Sequence, residues 1–432
     1  MPPSFAPWKT CSRSASNGSI ASAAHGRRSP RMSRILFVDD EPKVLEGLRR
    51  MLRGMRHQWE MAFCPGGAEA LECLGQREFD VVVTDMRMPG MDGAELLEEV
   101  LVRHPAAARV VLSGQCDRDT VLKTVGLAHQ FLTKPCDSET VKRTLQRIAG
   151  LGARLPDPWH RQMVSRLRSL PTPAPLYARL KGELEADRPG SEGIAKLLSG
   201  DVASAAKVLQ LVSSSFFGTP QRVGDLGRAA GLLGLDTLKA VARCPGVLRP
   251  LALETNPQGI ESLVAHAARV QAAARRIAEI ESRDPVVVGE IGLAGLLHDA
   301  GLWVLADAQP DRFSQLLAAA RAERVSPWQL EAQGAGATHA ALGGYLLGLW
   351  GLGDALVESA AFHHAPSQST GAADHALAIV HVANAVVEAL EAGRGPEQAD
   401  IDRPFLARLA RLERLPAWCQ AAVRGTWSEA AA

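Results

Sequence analysis

Between residues 34 and 149 the chain alternates between two hydrophobic periods. Short, largely apolar runs at Ile35–Val38, Glu60–Phe63, Val81–Thr84, Val110–Leu112 and Phe131–Thr133 predict strands. Pro42–Met55, Gly67–Leu74, Gly93–Arg103, Asp117–Leu127 and Ser138–Ile148, which lie between and after these runs, carry helical spacing. Strands that are apolar along their whole length need cover on both faces, the situation in a parallel sheet between two helical layers. Five such units predict an α/β doubly wound, five-stranded parallel sheet, where ligands sit beyond the carboxyl ends of the strands.

The pattern breaks at Gly150–Trp159, and residues 150–166 read as a linker. Leu170-Pro-Thr-Pro-Ala-Pro175 is a stiff, extended entry to a second unit. Beyond it the period is helical, with helices expected near 176–187, 191–199, 201–213, 225–243, 260–282, 289–306, 311–323, 327–334, 338–350, 353–364 and 373–391. Ala and Leu dominate them, as suits packed helices. The second unit, 167–390, is therefore all-α, and residues 391–432 read as a short helical or frayed tail. Residues 1–33 are rich in Ser, Ala, Arg and Pro and read as a disordered leader, with Met32 a second candidate start. They lack the apolar stretch of a signal peptide.

Composition narrows the class. Hydrophobic residues make up 46% and charged residues 22%, so the chain reads as globular. A net charge of +1 gives no global pull toward nucleic acid or an anionic membrane. No unbroken apolar run reaches the length of a membrane span. Cys11, Cys64, Cys73, Cys116, Cys136, Cys244 and Cys419 are scattered without ligand-like spacing, as reduced thiols of a cytoplasmic chain would be. A DNA-binding output would need clustered Arg or Lys on a recognition helix, which is missing, and no kinase nucleotide motif or P-loop is found.

The carboxyl ends of the apolar runs carry the chemistry. The first ends in Asp39-Asp40-Glu41, the third in Asp85, the fourth in Ser113 and the fifth in Lys134-Pro135. A parallel sheet brings these ends to one edge. Three clustered carboxylates call for a divalent cation, and all-oxygen ligands favour Mg2+. Asp85 can then attack a phosphoryl group that the cation and Lys134 neutralise, while Ser113 hydrogen-bonds a phosphoryl oxygen. FVDDEP at 37–42, VVVTDMRMPGMDG at 81–93, VVLSG at 110–114 and FLTKP at 131–135 together resemble a response-regulator receiver domain, a flavodoxin-like fold. The resemblance implies that Asp85 is the phosphoacceptor. It further implies that Asp40, Asp85 and the Arg87 carbonyl ligate Mg2+ with Asp39 acting through water, that Ser113 and Lys134 contact the phosphoryl group, and that Phe131 is the aromatic switch. A sensor histidine kinase is the implied partner, with an unidentified downstream protein and homodimerisation through the receiver as further expected contacts.

In the helical unit, LAGLLHDAGLWVL at 293–305 places a His-Asp pair in an otherwise apolar helix. Burying the pair costs free energy unless it is bonded or holds a metal. LRSLPTPAPLYARL at 167–180, LLSGDVASAAKVLQLVSSSFFG at 197–218, RAAGLLGLDTLKAV at 228–241, THAALGGYLLGLWGLGDALVESAAFHH at 338–364 and AIVHVANAV at 378–386 resemble an HDOD domain, an HD-like helical fold. That resemblance implies a non-catalytic domain acting through protein contacts. His266, His298, Asp299, His339, His363 and His364 also resemble the metal ligands of the HD-GYP class, which hydrolyses cyclic di-GMP. Leu302 stands where that class has lysine, Ala365-Pro366 follows the histidine doublet, and Asn384 stands at the late aspartate. Three readings stay open: hydrogen-bonded core histidines, a metal (Fe, Mn or Zn) or nucleotide site without turnover, and a cyclic-dinucleotide phosphodiesterase. His375 reads as a surface or cap residue, Tyr345 as packing, and Gly343-Gly344 as a point of close helix approach.

Overall fold

The computed structural model describes residues 32–114, 122–186, 191–217, 222–251, 256–334 and 336–428. The expected leader, apart from its last two residues, and much of the helix expected at Asp117–Leu127 lie outside these. Strands β1 (Ser33–Val38), β2 (Trp59–Cys64), β3 (Val81–Thr84), β4 (Ala108–Gly114) and β5 (Gln130–Lys134) form a parallel sheet of order β2-β1-β3-β4-β5. Their residues alternate between two buried faces. Leu36, Val38 and Val82 pack with Ala70, Leu74, Leu96 and Val100 of α2 (Gly67–Gln76) and α3 (Gly93–Arg103). Ile35, Phe37, Val81 and Val83 pack with Leu45 and Leu48 of α1 (Pro42–Met51) and with Leu145 and Ile148 of α4 (Ser138–Arg154). Both faces are therefore covered, as the unbroken apolar runs require.

The second face does not close on itself. Its core continues through Leu151, Leu155, Val164 and Leu167 into the helical unit. The expected linker at 150–166 is corrected accordingly: α4 runs on to Arg154, and α5 (Pro158–Ser165) follows at once, capped by the Asp157 carboxylate. Gly and Pro in this stretch mark a helix–helix corner rather than an irregular tether.

The helical unit begins with α6 (Ala174–Glu185), α7 (Ser191–Ser199) and α8 (Val202–Val212). The single helix expected at 225–243 is two, α9 (Leu226–Leu233) and α10 (Leu235–Arg243), divided at Gly234, whose φ of 78° a side chain would resist. The long α11 (Pro257–Glu281) lies against α12 (Pro285–Leu297). The helix expected at 289–306 is also broken: α12 ends at Leu297, and α13 (Ala300–Ala308) starts after a corner formed by His298 and Asp299. Residues Pro285–Ala308 have the length and hydropathy of a membrane span, contrary to expectation, but 83% of their most apolar window is buried within the fold. Next come α14 (Pro310–Glu323), α15 (Pro327–Gln333), α16 (His339–Leu349), α17 (Asp354–Phe362) and α18 (Asp374–Glu391). The last helices among the described residues are α19 (Arg403–Arg408) and α20 (Leu415–Ser428). Of the two forms expected for the tail, the helical one is found: α20 packs on α11, with Trp418 fully buried and its Nε1 donating to Glu281 at 2.9 Å.

Candidate functional sites

In the sheet unit, β1, β3 and β5 deliver Asp39, Asp85 and Lys134 to one edge. Lys134 Nζ lies 2.7 Å from Asp39 Oδ2 and 2.6 Å from Asp85 Oδ1. Burial opposes the charge of Lys134, but both carboxylates outweigh it and hold the ammonium pKa above its ordinary value. Asp39 is 2% exposed, and burial raises its carboxyl despite the lysine. Asp85 Oδ2 accepts the Arg87 N–H at 3.0 Å, and Asp39 Oδ1 accepts that of Glu41, also at 3.0 Å. Ser113 is fully buried on β4, beside β5, where Gly114 pairs with Lys134. Asp40 sits half-buried in the turn after β1. The expected residues thus meet at the carboxyl edge, and the oxygen donors of Asp40, Asp85 and the Arg87 carbonyl are of the type Mg2+ takes.

Phe131 is 1% exposed on β5, beside Val111 of β4, and it also meets the helical unit. Its carbonyl accepts the Ser214 hydroxyl at 2.9 Å, and its ring meets Phe217 edge-on at 5.9 Å. The Ser215 hydroxyl accepts the Thr133 N–H at 3.2 Å, and Gln210 Nε2 donates to the His129 carbonyl at 2.9 Å. Lys207 of α8 is buried at the same seam, donating to the Arg168 carbonyl at 2.6 Å and to Gln210 Oε1 at 2.7 Å. Burial pulls its ammonium down to about 7.

The second cluster surrounds the α12–α13 corner. Asp299 leaves the helical path there, with φ −95° and ψ 19°, and the His298 and Asp299 side chains meet in the space between α11, α16, α17 and α18. Gly301 permits the approach of α16: a Cβ at this position would stand 1.8 Å from the His339 carbonyl oxygen. Gly343 and Gly344 do the same toward Gly301 and Ala361, as expected of that pair. Asp299 Oδ1 then faces His339 Nε2 at 3.2 Å and His363 Nε2 at 3.3 Å, while Oδ2 faces His298 Nε2 at 3.3 Å and His266 Nε2 at 3.7 Å. His364 Nε2 lies 3.2 Å from His339 Nε2. Among the described residues, the candidate metal donors form two groups sharing Asp299: His339, His363 and His364, and His266 and His298.

The outer nitrogens of four of these rings are held. His298 Nδ1 sits 2.7 Å from the Gly295 carbonyl and His363 Nδ1 3.0 Å from that of Ser359. His339 Nδ1 meets Glu331 at 2.6 Å, and His266 Nδ1 meets Glu391 at 2.9 Å. This arrangement fixes the rings with Nε2 directed inward, as in metal sites whose ligands are oriented by a second layer of acceptors. Burial opposes charge on His339 and His266, but the surrounding carboxylates, Glu331 for His339 and Glu391 for His266, raise them to about 10 and about 9. Burial lowers His363 to about 4. His298 Nε2, His363 Nε2 and Asp299 Oδ1 are buried and converge on one another within the cluster, at 3.3 Å or less from a carboxylate oxygen or imidazole nitrogen. Converging imidazole nitrogens and a carboxylate of this kind are the donor set a transition metal takes.

Asn384 Oδ1 lies 3.0 Å from His266 Nε2, so the departure from aspartate falls at the cluster itself. Leu302 is buried in the core. Glu331 and Glu391 are not evident from the sequence, where Glu331 falls on a short helix with two glutamines and Glu391 at the end of a largely apolar one. His381 is structural: its Nδ1 is 2.6 Å from the His363 carbonyl, and its Nε2 accepts the Asp402 N–H.

A doubly wound sheet with this carboxylate–lysine edge defines the receiver class. The family models agree: the response regulator receiver domain matches residues 35–146 and the HDOD domain matches residues 170–366, so the chain is a receiver joined to an HDOD domain. An uncharacterized transcriptional regulatory protein, YesN of Bacillus subtilis, is 31% identical over 125 residues, which are 27% of this chain and 32% of YesN. The DNA-binding transcriptional regulator NtrC of Escherichia coli K12 is 32% identical over 114 residues, 26% of this chain and 24% of NtrC. The chain thus spans a third or less of the length of these relatives. Among solved structures, the signal receiver domain of an HD domain-containing protein from Pseudomonas fluorescens Pf-5 is 27% identical, covering 28% of this chain and 96% of that one with a TM-score of 0.27. The MmoQ response regulator from Methylococcus capsulatus is 19% identical, covering 58% of this chain and 98% of that one with a TM-score of 0.41.

Proposed function

We propose that the chain is a two-component response regulator, phosphorylated on Asp85 by a sensor histidine kinase, whose HDOD domain signals by protein contacts. The observation that carries this reading is the seam at Phe131: the expected switch strand is hydrogen-bonded to the helical domain through Ser214 and Ser215. An Asp85 oxygen attacks the phosphorus of the kinase's phosphohistidine, the P–N bond breaks, and the imidazole leaves. Lys134 shifts from the Asp39–Asp85 pair to a phosphoryl oxygen, and the Ser113 hydroxyl donates to another. Asp39, Asp40, Asp85 and the Arg87 carbonyl would hold Mg2+, and the cation would supply charge neutralisation. Movement of Ser113 and of the β5 edge then strains the contacts of Phe131 and Thr133 with the helical domain.

Phosphotransfer from a small phosphoryl donor, read by intact mass, tests the scheme. Asp85→Asn should take up no phosphoryl group while unfolding at the wild-type temperature. Uptake at the wild-type rate would remove Asp85 from the scheme.

A second reading concerns the HDOD centre and is favoured by its buried, inward-facing nitrogens. His266, His298, Asp299, His339, His363 and His364 would hold Fe, Mn or Zn. The bound metal would supply electrostatic activation for phosphodiester hydrolysis, as of a cyclic dinucleotide; the missing lysine and late aspartate favour binding without turnover. At a hundredfold excess of metal over its dissociation constant, binding stabilises the fold by about 2.7 kcal/mol. Chelation should remove that increment from the wild type and leave His298→Ala unchanged. An equal His298→Ala penalty with and without chelator would return the histidines to a purely structural role.

A further inference from the structure

The layer between the sheet and α2 contains two thiols that the acidic edge does not use. Cys64, the last residue of β2, and Cys73, in the second half of α2, pack in the same apolar cluster, and both are free. Cys64 Sγ donates to the Glu69 carbonyl at 3.7 Å. Glu69 precedes Cys73 by one helical turn, so this bond directs the Cys64 sulfur toward Cys73. The two thiols are hydrogen-bonding neighbours there.

Their settings differ. Cys73 is half-buried, whereas Cys64 is 8% exposed. Arg77 Nη2 lies 3.9 Å from Cys73 Sγ, while its Nη1 is held by Glu60 Oε1 at 2.7 Å. A partly exposed thiol beside a fixed cation is the setting of a nucleophilic cysteine. Burial, and then the neighbouring Cys73, push the Cys64 thiol up to about 11. A protonated, sheltered thiol is suited to resolving an oxidised neighbour rather than to attacking first. Cys64 is also tied to the acidic edge: it pairs with Val38 in the ladder, and its carbonyl accepts the Asp39 N–H at 3.2 Å.

We propose that Cys64 and Cys73 are a dithiol oxidised by hydrogen peroxide, and that their disulfide stiffens the backbone at Asp39. The Cys73 thiolate attacks one peroxide oxygen and the O–O bond breaks. The hydroxide that leaves takes up the proton Cys73 had released and becomes water. Cys64 then gives up its proton and attacks the sulfenic sulfur of Cys73. The S–S bond forms, and the hydroxyl group leaves with that proton as a second water. The two thiols lose two electrons in all, and the peroxide gains them.

The test treats reduced full-length protein with hydrogen peroxide and reads it by peptide mass mapping and amide hydrogen exchange. Wild type should lose two hydrogens in a peptide linking Cys64 to Cys73, and dithiothreitol should restore them. Cys64→Ala, which keeps the buried position apolar, should stop at a sulfenic acid on Cys73 that dimedone traps. Cys73→Ser should leave Cys64 reduced. Arg77→Met should cross-link about tenfold more slowly, with Arg77→Lys in between. Exchange at residues 37–42 should slow in cross-linked wild type and not in peroxide-treated Cys73→Ser. Oxidation of wild type that leaves Cys64 free, a cross-link from either thiol to another cysteine, or unchanged exchange at 37–42 in the cross-linked protein overturns the proposal.

Discussion

Gly301 has space for a hydrogen and little else. A methyl group there meets the His339 carbonyl at 1.8 Å, and neither backbone can retreat without moving Asp299 or His339. Gly301→Ala should therefore cost about 3 kcal/mol, near the top of the overpacking range, and weaken metal retention as well. Gly150→Ala is the control: a Cβ there meets nothing within 4 Å, and the exposed mid-helix position should gain about 0.5–1 kcal/mol. Denaturant unfolding of both variants checks the pair. Residues of this scale differ in how visible they were. Asp39, Asp85, Ser113 and Lys134 were legible because each closes a short apolar run, and a parallel sheet gathers such ends. Glu331 was not, because its bond to His339 joins two helices across a turn and leaves no period in the sequence.

At the scale of elements, apolar spacing placed most helices to within a few residues, but the corners were hidden. LAGLLHDAGLWVL is apolar on both sides of the His-Asp pair, so hydrophobicity carries no mark of the break at 298–299. Gly150–Trp159 misled in the opposite direction, since helix α4 simply continues through its first glycines. That continuity has a mechanical content. Val141, Leu145 and Ile148 of α4 face the sheet, whereas Leu151 presses on Gly348 of α16 and Arg154 pairs with Glu358 of α17. One residue inserted after Gly150 turns the second set by about 100° relative to the first. Calorimetry should then resolve two unfolding transitions in place of one. A single transition at the wild-type temperature would show that α4 does not couple the domains.

At the scale of the whole molecule, the sequence divides into two units more cleanly than the structure does. The receiver and HDOD segments were each legible because their motifs are local. Their shared core was not, because Lys207 and Gln210 look like the polar face of an ordinary amphipathic helix. Only the folded chain shows them buried at 5% and 2% exposure against the receiver carbonyls of Val125 and His129. Polar residues at a domain seam and polar residues facing water are the same letters, and the partner that distinguishes them lies some 80 positions away in the chain.

The docking of Phe131 onto Ser214 and Phe217 also sets terms for any outside protein. A tethered domain competes for that strand at an effective concentration on the order of millimolar. A free partner meets the face only in the fraction of molecules that are undocked, and its apparent affinity falls by that fraction. Release of the HDOD domain would thus raise the receptivity of the receiver to every competitor at once, without altering a single residue that the competitor touches.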